Sequence, residues 1–191
     1  MKKHLISMFL LAIIALLAAN TGTIKLQGNA SGVELLRNSA DGLSIRYSID
    51  ALNYREVTSR EGSWTELSAT NFAKTNQIGL PGLPLMRRII SVPLGATVTP
   101  RIVTADTRAI SLNEYGIHYP IMPSQESVAK CENLEDLPFV VNRDFYNAKA
   151  ATSFPIISVE ELGMMRGERL FALDFVPVSY NPDTKTIEVI I

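Results

Sequence analysis

Gly79-Leu80-Pro81-Gly82-Leu83-Pro84 most constrains the fold of this chain. Two prolines and two glycines in six residues remove the hydrogen-bond donors and the backbone restraint that a helix needs. The flanking sequence is punctuated in the same way. Ile89 to Val92 is apolar and β-branched and closes at Pro93 to Gly95. Leu43 to Ile49 alternates strictly, with Leu43, Ile45, Tyr47 and Ile49 on one side and Ser44, Arg46 and Ser48 on the other. That period of two predicts a half-buried strand. Tyr54 to Thr58 and Trp64 to Leu67 are further short strands, separated by turn chemistry from Ser59 to Ser63. Thr97 to Ser111 is rich in Val, Ile and Thr, which suits one or two strands, with Pro100 at an end or edge.

Downstream, Ser124 to Leu137 is polar and bounded by Pro123 and Pro138, which predicts a long surface loop. Phe139-Val140-Val141 resumes an apolar run. Phe154 to Val159 reads as a strand, Met164 to Glu168 as a turn centred on Gly167, and Arg169 to Tyr180 as a strand interrupted at Pro177. Asn181-Pro182-Asp183 supplies tight-turn residues before Thr186 to Ile191. No helical stripe follows the first twenty residues. The expected class is therefore all-β, a jelly-roll-like sandwich of antiparallel strands.

The N-terminus differs in kind. Lys2 and Lys3 precede an uncharged apolar run from Leu5 to Leu17, then the small residues Ala18 and Ala19. This is a secretory signal peptide, helical in its apolar part, with cleavage expected near Ala19. The run is short for a membrane span, which takes about 20 residues. A retained anchor is the alternative. The expected organisation is a signal peptide at 1–19, a flexible lead-in at 20–32 and one sandwich domain at 33–191. The location is then periplasmic or extracellular, with no stable membrane anchor after cleavage. Glu188-Val189-Ile190-Ile191 ends the chain in mid-strand, which suggests a piece of a longer protein.

Composition excludes several functions. Eighteen basic residues against 19 acidic ones, a net charge of -1, leave no basic excess for nucleic acid. One cysteine, Cys131, forms no internal disulfide. Only His4 and His118 occur, and His4 leaves with the signal peptide. A Cys–His dyad would have to join Cys131 to His118, and neither has the setting of a nucleophile elbow. Ligands for zinc or calcium and a phosphate-binding loop are missing, so no cofactor or metal is expected. Glu135-Asp136 and Glu160-Glu161 read as solvated carboxylates. The residues alone describe an exported all-β domain that binds something.

Their order adds a resemblance. Val33, Leu35 and Leu36 lead into Leu43-x-Ile45-x-Tyr47, then Asp50 and Leu52. Gly79 to Pro84, Ser91-Val92-Pro93 and Gly95 follow. Ile121-x-Pro123-Ser124 opens a loop that Leu137-Pro138-Phe139 closes. Arg166-Gly167, Phe175-x-Pro177 and Tyr180-Asn181-Pro182-Asp183-Thr184-Lys185-Thr186-Ile187 complete the set. From residue 33 to the end, the chain resembles the propeptide that precedes gingipain-type cysteine peptidases.

The resemblance implies a β-sandwich that is not itself an enzyme. It would help a cysteine endopeptidase to fold and block its active site until removed. Its partner would be that catalytic domain, in cis or in trans. The family's block uses a basic residue on a loop, and Lys130, flanked by Ala129 and Cys131, stands at that position. An ammonium would satisfy the acidic pocket of a peptidase that cuts after basic residues.

Two other readings stay open. A stand-alone module binding glycan or protein would expose aromatics such as Trp64, Tyr54 and Tyr115. An independent enzyme would use Cys131 or paired carboxylates.

Overall fold

The computed structural model describes residues 20–27, 29–39, 41–128, 137–147 and 154–191. The expected signal peptide lies outside them. The described residues form twelve strands and almost no helix. Every pairing between named strands is antiparallel, so the all-β class expected from turn density is the class observed.

The strands are β1 (Thr21–Lys25), β2 (Gly32–Ser39), β3 (Gly42–Ser48), β4 (Ala51–Ser59), β5 (Gly62–Ser68), β6 (Ala73–Lys74), β7 (Pro84–Val92), β8 (Thr107–Ser111), β9 (Ile157–Met165), β10 (Glu168–Phe175), β11 (Val178–Asn181) and β12 (Thr186–Ile190). They divide into a sheet of order β1-β4-β5, a sheet of order β6-β7-β10-β9, a sheet of order β11-β12-β8 and the hairpin β2-β3. A 3-10 turn covers Leu112–Tyr115, and a one-turn helix α1 covers Arg143–Tyr146.

The main core lies between the first and third sheets. Ile24 from β1, Leu52 from β4 and Leu67 from β5 meet Ile110 from β8, Val178 and Tyr180 from β11, and Ile187 and Val189 from β12. Each is at least 96% buried. Alternation along each strand puts these residues on one face, and burying each such side chain contributes about 1.5–3 kcal/mol. Phe171 and Phe175 of β10 and Met86 of β7 are buried in the remaining sheet. Tyr47 of the β2-β3 hairpin stacks on Phe175 at a centroid distance of 4.5 Å.

Local chemistry explains the turns. Asn181 Oδ1 accepts from the backbone N–H groups of Asp183 and Thr184, at 3.0 and 3.3 Å, and so closes the β11-β12 hairpin. The interruption expected at Pro177 is where the chain leaves one sheet for another: β10 ends at Phe175 and β11 begins at Val178.

Several expectations are corrected. Thr21–Lys25, expected in a flexible lead-in, is β1, with Ile24 fully buried. Gly22 belongs there because a Cβ at that position would collide with the Tyr54 ring. Thr97 to Asp106 forms no strand; only Thr107–Ser111 does. Its apolar members include Ile102 and Val103, both exposed, so no neighbouring face rewards extension of the strand. The strand expected at Phe154 to Val159 begins at Ile157 and runs on to Met165, which shrinks the expected turn at Met164 to Glu168 to Arg166-Gly167.

Candidate functional site

The stems that flank the expected inhibitory loop both lie against the first sheet, at Thr65 on one side and at Arg60 and Trp64 on the other. Ala129, Lys130 and Cys131 lie outside the described residues, as do Glu135 and Asp136. Both stems of the loop are described, and they are held in detail.

The incoming stem joins β5 at Thr65. Thr65 N–H donates to the Pro120 carbonyl at 2.8 Å, and the Thr65 carbonyl accepts from Met122 N–H at 2.8 Å. These bonds make a short parallel bridge between Thr65 and Ile121. The Thr65 hydroxyl is buried and donates to the Tyr119 carbonyl at 3.0 Å. A buried polar side chain is tolerated here because its hydrogen bond is made.

The segment from Gly79 to Leu83 then forms a cradle under both stems. Gly82 N–H donates to the Met122 carbonyl at 2.9 Å, and Ser124 N–H donates to the Leu80 carbonyl at 2.7 Å. Gly79 is the crosspiece. Its N–H donates to the Ser124 carbonyl at 2.9 Å, and its own carbonyl accepts from Asn142 N–H at 2.9 Å. One residue thus ties the stem before the loop to the stem after it. Gly79 has φ 81°, and a Cβ there would sit 3.0 Å from the Asn142 nitrogen. Both the left-handed conformation and the close approach call for glycine. Thr75 braces the cradle: its buried hydroxyl donates to the Pro81 carbonyl and accepts from Leu83 N–H, both at 3.0 Å.

The outgoing stem has its own supports. Arg60 donates a guanidinium N–H to the Leu137 carbonyl. Phe139 packs on Trp64 with centroids 5.6 Å apart. Asn142 caps α1, its Oδ1 accepting from Phe145 N–H at 3.0 Å. Tyr146 of α1 meets Trp64 edge-on at 5.6 Å. Burial pushes the Tyr146 phenol well above its ordinary pKa, with Tyr180 nearby adding to the effect. Tyr146 therefore serves as a neutral donor.

A cleft beside the incoming stem is lined by residues that include Glu66, Lys74, Met122 and Gln125. Glu66 accepts from Lys74 at 2.8 Å and from Arg55 Nε at 3.1 Å. Burial alone would raise its pKa, but the two cations outweigh burial and hold it below the usual carboxylate range.

The other candidates separate. Trp64 is buried and donates its indole N–H to Ser59 Oγ at 3.0 Å. The Tyr54 hydroxyl donates to the Tyr115 carbonyl at 3.1 Å. These aromatics do not make the open face that a glycan module would present. His118 is exposed, and its carbonyl accepts from Lys185 Nζ at 2.8 Å. Glu161 is forked by Arg169 at 2.9 and 2.8 Å, while Glu160 lies 3.8 Å from Arg87. Among the described residues, no group of three or more His, Cys, Asp or Glu could hold a metal ion, and no helix is long and apolar enough to cross a membrane.

Sequence reasoning expected a loop between Pro123 and Pro138, of which residues 129–136 lie outside the described residues. It missed Thr65, Gly79, Gln125, Asn142 and Tyr146 as the residues that hold it. The glycine-proline segment was the available signal, since such a run must spend its backbone bonds on something other than a helix.

Comparison with known proteins fits this arrangement. The Propeptide_C25 family model matches residues 23–190. Lys-gingipain of Porphyromonas gingivalis is 31% identical over 173 residues, covering 91% of this chain and 10% of that protein. Gingipain R2 of the same organism is 23% identical over 163 residues, covering 85% of this chain and 21% of that protein. The chain thus spans about a tenth of the length of the Lys-gingipains it matches. A solved structure concerned with the zymogenic latency of gingipain K from Porphyromonas gingivalis superposes with TM-score 0.81 at 30% identity, covering 90% of this chain and 93% of that one. A complex of Porphyromonas gingivalis RgpB pro- and mature domains shares the fold, with TM-score 0.70 at 22% identity, covering 83% of this chain and 79% of that one.

Proposed function

The chain belongs to the Propeptide_C25 family, and on that premise we propose that it is the N-terminal propeptide of an exported gingipain-like cysteine endopeptidase. In this role it carries no catalysis of its own. It assists folding of the catalytic domain and occupies the active site until proteolysis removes it. Its partner is that catalytic domain, in cis or in trans. Residues 1–19 direct export to the periplasm or beyond and are then cleaved.

The family match along residues 23–190 carries this reading. The fastened loop base supports it. A loop held at both stems by a folded sheet loses little conformational freedom when it docks, so more of its contact energy remains as affinity. Lys130, with Ala129 and Cys131 beside it, is the residue we assign to the specificity pocket. A flexible ammonium suits an acidic pocket that accepts lysine.

Inhibition of mature Lys-gingipain by the chain tests the proposal. Lys130→Ala should weaken inhibition at least about tenfold, the cost of losing one desolvated charge-assisted contact. Unchanged inhibition would remove Lys130 from the pocket. A wild-type chain that left the peptidase fully active would remove the inhibitory role.

A further inference from the structure

We propose that Gln125 is the positioning residue of the loop, a side-chain latch that fixes the direction in which the loop leaves the sandwich. The inference rests on reading the loop as inhibitory.

Gln125 reaches across the mouth of the loop. Its Oε1 accepts from Val140 N–H at 2.8 Å, and its Nε2 donates to the Val140 carbonyl at 2.9 Å. Nε2 also lies 3.1 and 3.2 Å from the carbonyls of Pro123 and Ser124 on its own stem. The carboxamide thus gives Val140 the donor and acceptor that a directly opposed strand residue would give. Backbone pairing holds the stems further in, through Gly79 to Ser124 and Asn142. Gln125 adds the outermost rung between the two stems, made from a side chain; beyond it Arg60 and Trp64 hold the outgoing stem alone, at Leu137 and Phe139.

The latch stands apart from the fold. Gln125 is only partly buried and Val140 is 39% exposed. Water can satisfy the Val140 backbone if the carboxamide is removed, so the sandwich loses little stability. Without this rung the stems stay joined through Ser124, Gly79 and Asn142, so the closure between them moves back by one or two residues on each side and loop-closure entropy changes very little, less than about twofold in any equilibrium. A larger effect on inhibition must come from orientation, because the Val140 peptide plane would no longer be fixed against the incoming stem.

Two variants separate these effects. Gln125→Ala removes both bonds. Gln125→Glu keeps the shape but replaces the donor with an acceptor facing three carbonyls. Each full-length variant is measured for inhibition of mature Lys-gingipain, for amide exchange at Val140 and for its thermal midpoint. Both should weaken inhibition about tenfold, as expected for two hydrogen bonds. Both should speed Val140 exchange and move the midpoint by no more than about 3 °C. A change in inhibition below about twofold overturns the latch, and so does a loss of inhibition that only follows a large fall in the midpoint. If the wild-type chain fails to inhibit, the inhibitory reading fails and takes the latch with it. If only Lys130→Ala proves silent, the pocket assignment alone fails.

Discussion

Tyr146 donates its hydroxyl to the backbone carbonyl of Ile121 across 2.6 Å. The bond joins the helix after the loop to the bridge residue before it, 25 positions away in sequence. Ile121 is also part of the main core, so this contact couples loop and sandwich directly. Tyr146→Phe keeps the ring against Trp64 and Phe145 and deletes only the donor. It should destabilise the domain by about 1–3 kcal/mol, because a buried carbonyl loses its partner. Urea unfolding of the variant against wild type measures this. A change within error would show that water replaces the hydroxyl.

Gly79→Ala attacks the crosspiece itself. The new methyl meets the Asn142 nitrogen and a Val140 methyl, 3.0 and 3.3 Å from the position it would take, on a backbone with φ 81°. The left-handed conformation costs a non-glycine residue about 1–3 kcal/mol before any contact is counted. The variant should unfold at lower urea, and added protease should cut it faster between residues 126 and 139. Equal cutting rates would mean that the stems do not need Gly79 to stay together.

Glu66 gives the domain a sensitivity to acid. Its folded pKa lies below the usual value, since Lys74 and Arg55 outweigh the cost of its burial. The stabilisation is present above the unfolded carboxylate pKa of about 4.3 and is lost as pH falls through the folded value. The effect is modest, below about 1 kcal/mol, because Lys74 and Arg55 are largely exposed. Thermal midpoints of Glu66→Gln should therefore fall less steeply than those of wild type below about pH 4.3. Parallel curves would assign the acid sensitivity to other carboxylates.

Much of the fold was legible wherever one face of a strand is buried. Ile45 and Tyr47 alternate with Ser44, Arg46 and Ser48, and β3 lies there, ending one residue short of the expected Ile49. Asn181-Pro182-Asp183 closes a hairpin through bonds that span two or three residues, so the local sequence carries the signal. The outer half of β9 was not legible. Glu160 to Met165 are all exposed, and their pairing with β10 leaves no alternation to read. β1 was obscured because it falls in the stretch 20–32 expected as a flexible lead-in, where the glycine at position 22 makes room for a distant tyrosine. Pro123 and Pro138 led to the expectation of a loop, but nothing in the local sequence pointed to how its two stems are fastened. Gly79, Ser124 and Asn142 meet through backbone atoms, and backbone atoms are the same in every sequence.

Trp64 is the single tryptophan of the chain, and it packs between Phe139 on the outgoing stem and Tyr146 on α1. The intrinsic ultraviolet emission of the domain therefore comes from one indole that touches the stem of the loop and lies largely away from water. Separation of that stem from the sandwich would wet the indole and shift its emission to the red. The domain carries an optical probe of its own loop, with no label attached.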